Sequence, residues 1–178
     1  MKSYTISLKG KAHERNMDFF RADDGLGLYA VADGVGTKRP SDKASRLVIE
    51  KIFETLAGRP FPGPADLRGF LGKAVGSANT AVYKAFKAWG PQDLITTLTL
   101  LYVGSAECAV AHVGDSRCYL IEPGSLRQLT DDHNIAFEAY KAGAIPKEAL
   151  RSHPDRHMLT RCIGASDFVT PDIVTGIK

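Results

Sequence analysis

The chain has 178 residues, 44% hydrophobic and 24% charged, which fits a single globular domain over 1–178 with a core that needs no staples. Its net charge of +3 comes from scattered Lys and Arg, which argues against a nucleic-acid-binding stripe, and its apolar runs are too short to span a bilayer. Three cysteines, odd in number and without CxxC spacing, read as buried or half-buried reduced thiols rather than a structural disulfide, and the N-terminal MKSYTISLKGKAHERN has no apolar signal core, so the expected setting is a reducing cytoplasm.

In chain order, Tyr4, Ile6 and Leu8 alternate with polar residues and predict a half-exposed strand. In LGLYAVADGVG at 26–36, residues 26–32 read as a strand buried on both faces, with Asp33-Gly34 following. Ser41 is a candidate N-cap, and Ala44, Leu47, Val48, Ile52 and Leu56 recur at helical spacing to about Ala57. Gly58 to Pro64 is a breaker-rich loop. A second helix is predicted from Asp66 to Ala88, with Leu67, Leu71, Ala74, Val75, Ala78 and Val82 in its stripe and Gly90-Pro91 as its stop. Strands follow at 96–103, 107–113 and 117–121. Asp132-His133-Asn134 opens a short helix, and Pro146 suits the first position of another. His157 to Ile163 and Asp172 to Ile177 are expected as late strands. Blocks of strands and helices without strict alternation predict an α+β layered fold.

Two strand ends carry the chemistry. Asp33 and Asp115 each stand at a Gly-containing turn after an apolar strand, which puts a hard oxygen ligand on a rigid element. Asp18, in ERNMDFF, is a third candidate. Separated carboxylates without a His/Cys cluster favour Mg2+ or Mn2+ over Zn2+. His112 reads as a satisfied core histidine, and Lys38-Arg39 as a solvated pair.

The segments ERNMD, VADGVG, SDKASRLV, ITTLTLLYV, AHVGDSRCYLI, LRQLTDDHN and RHMLTRCIG, in that order, resemble the metal-dependent type 2C (PPM) family of serine/threonine protein phosphatases in its bacterial form. The resemblance covers roughly residues 12–170. It implies a four-layer α-β-β-α sandwich, two antiparallel sheets flanked by helix pairs. It also implies hydrolysis of phosphoserine or phosphothreonine in proteins by a water that two Mn2+ or Mg2+ ions activate. Carried over by position, Asp33 would bridge the metals, the Gly34 carbonyl and Asp18 would serve the second, and Asp115 a third, weaker one. Thr96 and Thr97 match a structural Thr pair.

Three departures are visible. His13 stands where the family has an Arg that grips phosphate, with Arg15 nearby to share that task, and Met17 stands where it has a Glu. The sequence ends at Lys178, before the family's SDG and DN motifs, so the final strands and helix are expected to be missing and the metal site incomplete. The implied partner is a phosphorylated protein, the product of a serine/threonine kinase; neither nucleic acid nor membrane is expected, and the chain should be a monomer. The alternative is a catalytically weak or inactive phosphatase-like scaffold. DGVGTK at 33–38 also resembles a six-residue signature of ATP-using aminoimidazole ribonucleotide synthetases, but the GDSR hairpin has no place there.

Overall fold

A computed structural model describes residues 2–11, 14–36, 41–89, 94–105 and 107–178. The main sheet is antiparallel, with strands β1 (Asp18–Asp23), β2 (Leu28–Val35), β4 (Leu98–Val103), β5 (Cys108–Val113) and β8 (Asp172–Ile177) in that spatial order. The two-residue β3 (Ile95–Thr96) pairs with the end of β2. Two long helices, α1 (Ser41–Leu56) and α2 (Pro64–Trp89), pack together on one face of this sheet. A second, small sheet is the hairpin β6 (Tyr119–Glu122) and β7 (Ser125–Gln128). After it come α3 (Ile135–Lys141) and a 3₁₀ helix, Lys147–Arg151. The α+β class with two antiparallel sheets stands. No helix among the described residues is long and apolar enough to cross a membrane.

Strand pairing sorts the residues. On β2, Leu28, Ala30, Ala32 and Gly34 are buried toward the helices, while Val31 and Asp33 are exposed on the opposite face, so the strand expected to be buried on both faces is covered on one only, because the helices pack on a single side of it. Small alanines let the helices approach closely. Val48, Ile49, Ile52, Phe53 and Leu56 of α1 and Leu67, Leu71, Val75 and Val82 of α2 complete a dry core with Leu98, Leu100 and Val113. Burying each such side chain contributes roughly 1.5–3 kcal/mol.

Several expectations change. Residues 2–10 are not a strand, and Tyr4, Ile6 and Leu8 are exposed. Alternation supplies a face but not a partner. The segment is tied by Ser3 N–H to Asp24 (3.2 Å) and by Asn16 to the Ser7 hydroxyl (2.6 Å), without a backbone ladder among the described residues. His157 to Ile163 is likewise a run of turns with two single bridges, Leu159 to Asn134 and Ile163 to Thr96. Strands β1 and β7 were not anticipated. Ser41 is the first residue of α1 rather than its cap, and its hydroxyl donates to the Val35 carbonyl (2.8 Å). Pro146 precedes the 3₁₀ helix as its N-cap. The proposed helix stop Gly90-Pro91 and the pair Lys38-Arg39 lie outside the described residues. The three cysteines are free thiols, each partly buried.

Candidate metal centre

β1 and β2 are antiparallel in a register that sets Asp18 directly opposite Asp33. Directly opposed side chains share a face, so both carboxylates project from the side of the sheet away from the helices. Both are exposed there. The position of Asp33 is held from below. Its N–H donates to the Thr97 hydroxyl (2.9 Å), and its carbonyl accepts from the Thr97 N–H (2.9 Å) and the Thr96 hydroxyl (2.8 Å). The Thr pair thus grips the backbone of Asp33 and leaves its carboxylate facing Asp18.

Gly34 is fixed by a close approach. A Cβ there would lie 2.3 Å from the Ser41 carbonyl oxygen and 2.9 Å from that of Met17. The Gly34 N–H donates to the Met17 carbonyl (3.1 Å), which also accepts from the Ser45 hydroxyl (2.6 Å). The first turn of α1 is therefore pinned to the backbone just before Asp18 and just after Asp33.

Asp115 follows β5 at the turn made by Gly114, whose φ is +114°. Here too only glycine fits, because a Cβ would meet the Thr97 side chain at 2.5 Å. The next residue, Ser116, shares a hydrogen bond with Thr97 (2.7 Å between hydroxyl oxygens), so one threonine joins the Asp33 and Asp115 loops. His133 locks the other side of the turn. Its Nδ1 accepts from the Gly114 N–H (3.0 Å), and its own N–H donates to the Gly114 carbonyl (2.7 Å). An acceptor Nδ1 requires the proton of the neutral ring on Nε2, which donates to Asp172 (3.1 Å). Burial would raise Asp172, but hydrogen bonds from Arg161 (2.6 Å) and His133 outweigh it and hold the carboxyl at about 2. His133 itself is lowered, mainly by burial.

His112 is buried beside it, with ring centroids 4.7 Å apart. It bonds the Thr99 hydroxyl (2.9 Å) and the Asp131 carbonyl (3.0 Å). Burial and the neighbouring His133 push it down to about 4, so it is neutral and Nε2–H donates to Asp131. The expectation of a satisfied core histidine holds for His112. His133, which the sequence places at the opening of a short helix, is also a buried brace. The signal that could have found it is its place one residue before an Asn N-cap.

The electrostatics single out Asp33. Crowding by packed protein around its carboxylate, then the charge of Asp18 and a hydrogen bond with it, then the charge of Asp115, push it up to about 7. Asp33 remains open to solvent, so the neighbouring carboxylates matter as much as burial. Asp115 is raised by burial and by Asp132. Among the described residues none of Asp18, Asp33 and Asp115 has an ion-pair partner. Carboxylates gathered without a cation are the donor set of a hard divalent ion, and the residues fit Mn2+ or Mg2+. Among the described residues no group of three or more His, Cys, Asp or Glu side chains is placed to hold a metal ion by itself. The ligands present suit an open, partly hydrated site. Arg15 is exposed just ahead of Asp18, and His13 lies outside the described residues.

The chain is similar in sequence and fold to known protein phosphatases. The family model described as protein phosphatase 2C matches residues 10–153. The chain is 31% identical over 174 residues to a protein phosphatase 2C-type protein of Streptococcus pyogenes, covering 94% of this chain and 71% of the relative. It is 30% identical to the serine/threonine phosphatase stp of Listeria welshimeri, covering 90% of this chain and 64% of that protein. The chain therefore spans about two thirds of the length of the relatives it matches. Among solved structures, the Mycobacterium tuberculosis serine/threonine phosphatase PstP/Ppp superposes with a TM-score of 0.83 at 32% identity, over 96% of this chain and 70% of that one. The PstP catalytic domain in complex with two manganese ions gives 0.79 at 29%, over 96% and 69%.

Proposed function

The chain belongs to the protein phosphatase 2C family, and from that premise we propose that it catalyses metal-dependent hydrolysis of phosphoserine and phosphothreonine in proteins. The observation that carries this reading is the facing pair Asp18 and Asp33, neither in an ion pair among the described residues, with Asp33 held at about 7. On this reading Asp18, Asp33 and the Gly34 carbonyl would hold the two ions, and Asp115 would hold a third, weaker one. Bound Mn2+ or Mg2+ would neutralise phosphate charge and lower the pKa of a water.

The protein's own contribution is placement. Thr96 and Thr97 fix the Asp33 backbone, the Met17 carbonyl fixes Gly34, and His133 fixes the Gly114-Asp115 turn. Arg15, with His13, would contact the substrate phosphate. The phosphoprotein would be the product of a serine/threonine kinase, met in the cytoplasm by a monomeric enzyme.

Titration calorimetry with Mn2+ on the wild type and Asp33→Asn tests the site, alongside Mn2+-dependent turnover of p-nitrophenyl phosphate. The wild type should bind and turn over, and the variant should lose most of both. Equal Mn2+ affinities would remove Asp33 from the site.

A further inference from the structure

The β6–β7 hairpin and the segment from α3 through the 3₁₀ helix enclose a cleft of about 1150 Å3, and Asp115 is part of its lining. Whole ligand pockets typically measure about 300–1,000 Å3. One phosphorylated side chain leaves most of this space empty, with room for the residues on either side of it.

Charge divides the cleft. Lys147 and Arg151 of the 3₁₀ helix, and Arg156 on the following turn, all line it and are all exposed. Among the described residues none of the three is in an ion pair. Arg156 uses one N–H on the His153 carbonyl (3.3 Å). The carboxylates of the lining are largely engaged elsewhere. Asp132 is held by Arg117 through two hydrogen bonds, one of 2.7 Å, and Asp131 lies 3.8 Å from Lys141. Glu148 remains on the helical wall against the three cations. A wall with excess positive charge, opening beside Asp115, is complementary to an anionic peptide.

We propose that this cleft docks the anionic flank of a phosphoprotein substrate, so that acidic residues or a second phosphorylated residue near the scissile one set specificity. Such docking presupposes the phosphatase activity proposed above. Each exposed ion pair changes affinity by about 1.5- to 5-fold, so the three cations together account for a preference on the order of tenfold.

The test compares the wild-type 178-residue protein with a Lys147→Glu/Arg151→Glu/Arg156→Glu variant. Three phosphothreonine peptides are used, with neutral flanks, with aspartate flanks and with a second phosphothreonine, and p-nitrophenyl phosphate serves as a substrate too small to reach the wall. The wild type should prefer one or both anionic peptides about tenfold in kcat/KM, through KM. The variant should lose that preference and keep its p-nitrophenyl phosphate turnover. The aspartate and diphosphorylated peptides separate carboxylate from phosphate recognition. No preference in the wild type, or one that survives in the variant, overturns the proposal.

If the triple reversal unfolds the protein, Arg151→Gln should still weaken the preference about 2- to 3-fold, and an undiminished preference overturns it. If the wild type turns over no substrate, the phosphatase reading fails by itself. Fluorescence anisotropy with the same labelled peptides then decides: tighter binding of the anionic peptides, lost in the variant, supports the docking surface, and equal binding sinks it.

Discussion

The two faces of the main sheet are built from the same strands and do opposite work. Toward α1 and α2, the sheet presents Leu28, Ala30, Ala32, Leu98, Leu100, Ala111 and Val113, all buried. One residue over along each strand, the other face presents Asp18, Asp33, Thr99, His112 and Asp172. These polar positions gather at one end of that face, because the register aligns Val31 with Thr99, Thr99 with His112 and His112 with Asp172. Period two is thus enough to keep a dry core and an ionic centre one residue apart. The helix face should answer to volume, and the open face to charge and pH.

The largest effect should come from the helix face. Phe53 is 1% exposed, with the Arg21 guanidinium 4.2 Å from its ring centroid. Phe53→Ala should cost about 3–5 kcal/mol in urea unfolding, with little dependence on pH. A smaller loss would mean that the α1 interface collapses around the gap.

The open face should supply the acid sensitivity. His112 takes a proton at about 4 in the folded protein and at 6.5 when unfolded, so between those values the unfolded chain binds the extra proton. Stability should fall as pH drops from about 6.5 to about 4, by an amount on the order of 2–3 kcal/mol. His133 is lowered in the same sense and adds to the slope. Unfolding midpoints at several pH values measure this, and His112→Gln should flatten the curve. A flat wild-type curve would show that the buried ring carries its proton.

The smallest effect should have the opposite sign. Without metal, Asp33→Asn removes a charge opposed to Asp18 and should stabilise the protein by roughly 0.2–1 kcal/mol. Added Mn2+ should reverse the order of the two melting temperatures. A variant less stable than the wild type without metal would mean that Asp33 has a stabilising partner.

Much of this was legible in the sequence. The stripes of α1 and α2 and the strands that carry Asp33 and precede Asp115 follow from local pattern, whereas β2 runs on past Asp33 to Val35 and the hairpin expected around Asp115 does not form, because β5 pairs with β4 and β8 and β6 pairs with β7. The family resemblance rests on the same segments, and the family model covers most of them. What stayed hidden depends on distant partners. The facing of Asp18 and Asp33 is a register, and it exists only once β1, itself unmarked by strong alternation, pairs with β2. His133 looks ordinary until β8 brings Asp172, 39 residues away, to its Nε2. The converse holds at Tyr4, Ile6 and Leu8, where alternation predicts a strand and no neighbouring strand pairs with it among the described residues.

The double bond acceptance at Met17 has a consequence for how position 17 can vary. The junction of α1, β1 and β2 is tied through the carbonyl of this residue, which receives both the Gly34 N–H and the Ser45 hydroxyl. Every amino acid brings the same carbonyl. The architectural duty of the position is therefore separate from its side chain, which lets a thioether stand where the resemblance expects a carboxylate without disturbing the knot beneath the Asp18–Asp33 pair. Position 17 is a place where chemistry can be retuned by mutation while the scaffold is inherited unchanged.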